Sequence, residues 1–149
     1  MPLAPLHWII ADQNESLILE STKTGLQIYE DSLHILTNNP PYPYHQWNVH
    51  HYMHLTSAYP QDNLIHQNMK PYGNGLGTVG LPGDYSPASR FIKALWLKDN
   101  AKMNDCEHEN ISQIFHILDA VAMVKGSVKT SQDKDDYTIY SCCMSMDQL

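Results

Sequence analysis

Residues 80–91 read Gly-Leu-Pro-Gly-Asp-Tyr-Ser-Pro-Ala-Ser-Arg-Phe and put a tight turn, a helix start and a cation in one short stretch. Pro82-Gly83 is a turn dipeptide. Ser86 can cap a helix by accepting an orphan amide hydrogen, and Pro87 suits the first helical position, where no donor is needed. Phe91, Ile92, Leu95 and Trp96 follow at helical spacing, so the pattern predicts a helix over residues 86–98 with one apolar stripe for packing on a sheet. Arg90 falls in the first turn, where the positive end of the helix dipole disfavours a cation. Its position therefore implies a partner or a task.

A second helix is predicted over residues 110–125 from Ile111, Ile114, Phe115, Leu118 and Val121, with Glu107 and Glu109 before it and Gly126 after it. Upstream, residues 6–11 and 16–20 are apolar runs joined by Asp12-Gln13-Asn14-Glu15, which predicts a β-hairpin. Trp8, Ile9 and Ile10, like Leu17, Ile18 and Leu19, are apolar without alternation, so both strand faces are expected to be covered. A third strand is read from Gly25 and a short fourth over residues 33–37. Residues 37–41 (Thr-Asn-Asn-Pro-Pro) end it, because the residue before proline is held extended and proline cannot donate to a ladder. Residues 42–47 read as an aromatic, proline-containing loop, residues 48–55 as a short helix, and the chain through residue 68 as a polar loop. Residues 137–144 alternate like a strand. The reading is α+β: antiparallel strands with two main amphipathic helices.

The 149 residues, 42% of them hydrophobic, suffice for one core. A net charge of -7 with nine Lys and Arg argues against a phosphate-backbone partner. No apolar run reaches membrane-spanning length and no secretory leader is evident at Met1. Cys106, Cys142 and Cys143 make neither an even disulfide framework nor a Cys-x-x-Cys pair, pointing to a reducing, cytoplasmic setting.

Several motifs are outweighed by simpler accounts. Residues 75–80 (Gly-Leu-Gly-Thr-Val-Gly) match the dinucleotide-binding pattern, but the preceding segment is polar and Pro82-Gly83 stands where the helix should run. A glycine-rich loop or short strand approaching another backbone closely fits better. His50, His51 and His54 lack the carboxylate or thiolate that would complete a tetrahedral metal set. Asp133, Asp135 and Asp136 lack the glycine and closing glutamate of a calcium loop. No cofactor or metal is called for. Asn38, at a strand end, can aim an amide donor at a developing oxyanion, and Arg90 can hold negative charge; spacing alone favours ordinary turn and ion-pair roles for both.

Five separated segments shift that balance. Residues 5–12 (Pro-Leu-His-Trp-Ile-Ile-Ala-Asp), 36–40 (Leu-Thr-Asn-Asn-Pro), 48–55 with Tyr52-Met53, 80–91, and 137–141 (Tyr-Thr-Ile-Tyr-Ser) occur in an order that resembles the choloylglycine hydrolase family. That family comprises bile salt hydrolases and penicillin V acylases. The resemblance implies an N-terminal-nucleophile hydrolase of four-layer αββα architecture, in which a processed N-terminal cysteine attacks an amide carbonyl and its own α-amino group is the base. It further implies that Asn38 helps form the oxyanion hole and that Arg90 closes the catalytic group.

Neither the family's nucleophilic cysteine nor the arginine and aspartate that follow it has a match here, and the three cysteines present match none of them. Residues 1–149 are therefore expected to be one partial domain, the middle of a longer enzyme that lacks the nucleophile segment and the C-terminal strands, and to be inactive alone. The expected partner is a small-molecule amide, a conjugated bile salt or, as runner-up, penicillin V, with no nucleic acid and no membrane. A homo-oligomer of the full-length parent is compatible with this reading. Two other readings are a non-catalytic remnant and a small metal-binding module built on His50 and His54.

Overall fold

The computed structural model describes residues 6–144. Three antiparallel strands, β1 (His7–Ala11), β2 (Ser16–Thr22) and β3 (Gly25–Glu30), form one sheet in the order β1-β2-β3. The first turn is closed by Asp12, whose carboxylate accepts the amides of Asn14 (2.7 Å) and Glu15 (2.9 Å). These bonds hold the Asp12 carboxyl below the ordinary carboxylate range. Register pairs Trp8 with Leu19 and Ile10 with Leu17 on one face, and Ile9 with Ile18 on the other.

Helix α1 (Tyr42–Asn48) runs into a 3-10 turn at Val49–Tyr52; α2 (Pro87–Asn100) and α3 (Glu107–Ala120) follow. The core lies between the sheet and α1 and α2. Ile18, Tyr42 and Phe91 are fully buried, Ile92 and Leu95 nearly so, and Tyr29, Leu36, Val49 and Leu81 pack around them. Each such side chain contributes about 1.5–3 kcal/mol through burial. Helix α3 lies against α2 and buries no residue completely.

Two carboxylates are buried under α1. Asp31 accepts the hydroxyls of Ser16 and Tyr42, each at 2.8 Å, and the amides of Leu33 (3.1 Å) and His34 (2.8 Å). Burial and this carboxylate together push the Tyr42 phenol up. Glu20 accepts from His7 Nδ1 (2.8 Å) and from the Tyr42 amide (2.9 Å), so its side chain caps the start of α1.

Several expectations are corrected. Residues 33–37 do not form a strand: the Asp31 carboxylate captures two amides and His34 takes φ +53, which together turn the chain. Residues 42–47 are helical, not a loop, because Pro43 lies in the first turn, where a missing donor costs nothing. The expected helix over residues 48–55 shortens to the 3-10 turn at Val49–Tyr52. Helix α3 starts three residues early, its acidic residues lying inside the first turn, and ends at Ala120, where the Val121 and Ala122 amides close on the Leu118 and Asp119 carbonyls. Residues 137–144 join no ladder among the described residues; Thr138 anchors them to Met123 through two backbone-directed bonds.

The sheet is also not covered on both faces. Trp8, Ile10, Leu26 and Ile28 share one face and are 43–60% exposed. The glycine-rich segment behaves as a close backbone approach: a Cβ on Gly77 would collide with the Thr56 carbonyl, and the Thr56 amide bonds Gly77 O at 3.0 Å. Among the described residues no strand leads directly into it, and Leu76–Thr78 form a 3-10 turn rather than a strand.

Candidate active site

The site is built on the start of α2. Asp84 accepts the Ser86 amide (2.9 Å) and the Ser89 hydroxyl, and Ser86 Oγ accepts the Ser89 amide (3.3 Å). Hydrogen bonding from the Ser86 and Ser89 side chains, and then from the Ser86 amide, holds the Asp84 carboxyl down at about 2. The helix therefore begins at a fixed residue and a fixed angle. Arg90 follows in the first turn, its amide already bonded to the Ser86 carbonyl at 2.9 Å.

The guanidinium of Arg90 turns back over the helix start. Its Nε donates to the Tyr85 carbonyl at 3.1 Å and its Nη2 to Asn38 Oδ1 at 2.8 Å, across 52 residues of sequence. The cation placed against the helix dipole thus has two oxygen acceptors. Burial pushes the Arg90 guanidinium down and the nearby Asp136 carboxylate opposes that shift. An arginine has only donors, so Asn38 must present its oxygen to it. The Asn38 Nδ2 hydrogens consequently point away from Arg90 and are left to donate elsewhere.

The Asn38 limb is tied down from below. Thr37 Oγ1 donates to the Pro87 carbonyl at 3.2 Å, joining the limb to the first residue of α2. His45, 1% exposed on α1, places Nε2 at 3.1 Å from the Asn38 carbonyl and lies parallel to the Phe91 ring, with centroids 4.5 Å apart and an interplanar angle of 11°. Asn39-Pro40 is a cis peptide in this limb. Together these contacts set an amide donor and a guanidinium side by side on the surface. Such a pair can bind an anionic or carbonyl oxygen with little reorganisation.

Asn38 and Arg90, singled out separately in the sequence, are in direct contact. His45 was missed, because residues 42–47 read as a loop; its signal was the spacing of Tyr42, His45, Val49 and Tyr52 along one helical stripe, with a polar residue where an apolar one belongs. The other histidines have local roles. His50 Nδ1 bonds the Trp47 carbonyl at 3.0 Å, and the His54 ring lies against Gly80. Among the described residues no three His, Cys, Asp or Glu side chains converge to hold a metal. Cys106, Cys142 and Cys143 are free thiols.

The chain is 42% identical over 149 residues to the Bile salt hydrolase/transferase of Lactiplantibacillus plantarum, a match covering 99% of this chain and 46% of that protein. It is 39% identical to the Bile salt hydrolase/transferase of Clostridium perfringens, again over 99% of this chain and 46% of the relative. The chain thus spans about half the length of these curated relatives. A crystal structure of a mutant conjugated bile acid hydrolase from Clostridium perfringens superposes with a TM-score of 0.77 at 39% identity, over 93% of this chain and 43% of that one. The profile of the linear amide C-N hydrolases, choloylglycine hydrolase family, matches residues 1–149. On that match the chain belongs to the choloylglycine hydrolase family.

Proposed function

We propose that this chain supplies one wall of a hydrolase site that cleaves the amide bond of glycine- or taurine-conjugated bile salts. The observation that carries the reading is the 2.8 Å bond between Arg90 and Asn38, in a chain 42% identical to a protein named a bile salt hydrolase. In this reading Asn38 Nδ2 donates to the oxyanion, and Arg90 fixes which way the Asn38 amide faces. Arg90 also places positive charge beside the developing negative oxygen.

The nucleophile is a processed N-terminal cysteine outside these 149 residues. Its sulfur bonds to the amide carbonyl carbon, its α-amino group passes the thiol proton to the departing nitrogen, and glycine or taurine leaves as the amine. Water then cleaves the thioester, releasing the bile acid and restoring the thiol. Residues 1–149 are part of one larger domain. The exposed apolar face formed by Trp8, Ile10, Leu26 and Ile28 packs there against a second sheet, giving four αββα layers. Three free thiols favour a cytoplasmic setting.

The test is incubation of the complete gene product with glycocholate, taurocholate and penicillin V, following amine or acyl release, with mass spectrometry of its N-terminus. Release of glycine or taurine from a product that begins with cysteine is expected. Cleavage of penicillin V alone would overturn the substrate, and no cleavage of any of the three would overturn the hydrolase reading.

A further inference from the structure

We propose that His45 is a positioning residue of this site, holding the Asn38 limb at a fixed distance from the helix that carries Arg90. The inference rests on the hydrolase reading above and adds to it a residue that touches no substrate. One imidazole joins the two elements. Its edge meets the Asn38 carbonyl at 3.1 Å, and its face lies on Phe91, the neighbour of Arg90 in sequence.

The chemistry of the contacts fixes the tautomer. A carbonyl only accepts, so Nε2 carries the hydrogen and donates it to Asn38 O; Thr37 Oγ1, at 3.5 Å, lies on the same side of the ring. Nδ1 is buried with no hydrogen-bond partner among the described residues. A bare ring nitrogen tolerates that position better than a second N–H, whose desolvation would go uncompensated. Burial also pushes the imidazole below the usual histidine range, against the opposing pull of the Asn38 and Pro40 carbonyls and of Glu20, while His7 acts in the same direction as burial. His45 is thus a neutral, rigid strut. A phenylalanine would fill the same space and stack equally well, yet it would leave the Asn38 carbonyl without its donor, which explains a histidine in an apolar stripe.

The experiment compares His45→Phe, which keeps the stacking and loses the donor, with His45→Gln, whose amide nitrogen can still reach the Asn38 carbonyl. In the complete gene product, with glycocholate as substrate, His45→Phe is expected to lower kcat by about tenfold to a hundredfold, with KM changed less than about threefold. His45→Gln recovers most of that loss. Equal losses in the two variants, or a loss confined to KM, would overturn the proposal.

A second readout does not need turnover. In imidazole and side-chain amide NMR spectra of the same protein, His45 is expected as the neutral Nε2–H form. The Asn38 Nδ2 resonances should shift in His45→Phe and stay near their positions in His45→Gln. A charged His45, an Nδ1–H tautomer, or unmoved Asn38 resonances in His45→Phe would each refute the positioning role. An inactive wild type would instead refute the hydrolase reading and leave the NMR result to decide this one.

Discussion

Replacing Arg90 by alanine separates what this side chain does for the fold from what it does for the site. It makes two hydrogen bonds, at 3.1 Å to Tyr85 O and 2.8 Å to Asn38 Oδ1, and is only partly buried. At about 1 kcal/mol each, their loss costs about 2 kcal/mol. Removing a cation from the first turn returns about 0.5 kcal/mol. The net destabilisation of about 1.5 kcal/mol corresponds to a fall in melting temperature of roughly 3–6 °C for a domain of about 150–250 residues. Turnover behaves differently. In the proposed role of Asn38 as an oxyanion donor, loss of Arg90 frees its amide to rotate, and losing one such preorganised donor costs about 2.7–4 kcal/mol, or about a hundredfold to a thousandfold in kcat. Calorimetry and initial rates of glycine release from glycocholate, measured on the complete gene product and its Arg90→Ala variant, give both quantities. A rate loss below about tenfold, or one that merely tracks the fraction unfolded, would refute the reasoning.

Three further outcomes are expected. Ser86→Ala removes the acceptor for the Ser89 amide and should cost about 1 kcal/mol in denaturant unfolding; an unchanged midpoint would show that Asp84 alone fixes the helix start. Asp84 has a folded pKa of about 2 against an ordinary value of 3.8, so its stabilisation is complete above about pH 4 and is lost as pH falls through about 2. The melting-temperature gap between wild type and Asp84→Asn should therefore narrow between pH 5 and pH 2, and a constant gap would contradict this assignment. Ile28→Lys tests the second layer: a solvated face tolerates it within about 0.5 kcal/mol, whereas packing against another sheet makes it cost several. The large loss is expected in the complete gene product.

What could be read from residues alone follows from how local the determinants are. The hairpin and the start of α2 were legible because Asp12, Ser86 and Pro87 act on backbone groups within a few residues of themselves. Helix α1 was not, because two prolines bracket its first residue and only the buried face of Tyr42 and His45 reveals the period. The expected strand over residues 33–37 failed because the Asp31 carboxylate, buried by tertiary contacts with Ser16 and Tyr42, takes the Leu33 and His34 amides that a ladder would need, in a turn as local as that of Asp12. Asn38 and Arg90 could be named from a resemblance. Their contact could not be read from spacing, since it depends on Thr37 meeting Pro87 and on His45 meeting Phe91, all tertiary events.

The 52-residue separation between Arg90 and Asn38 has a kinetic consequence. Closing a flexible loop of that length costs about 3.5 kcal/mol before any contact across it is rewarded. Nothing local can hold the two side chains together in a nascent chain. The wall therefore exists only once the sheet, α1 and α2 have docked, and a partly folded molecule presents neither the oriented amide nor the fixed guanidinium. Docking of the sheet, α1 and α2 is the event that brings the Asn38 amide and the Arg90 guanidinium together.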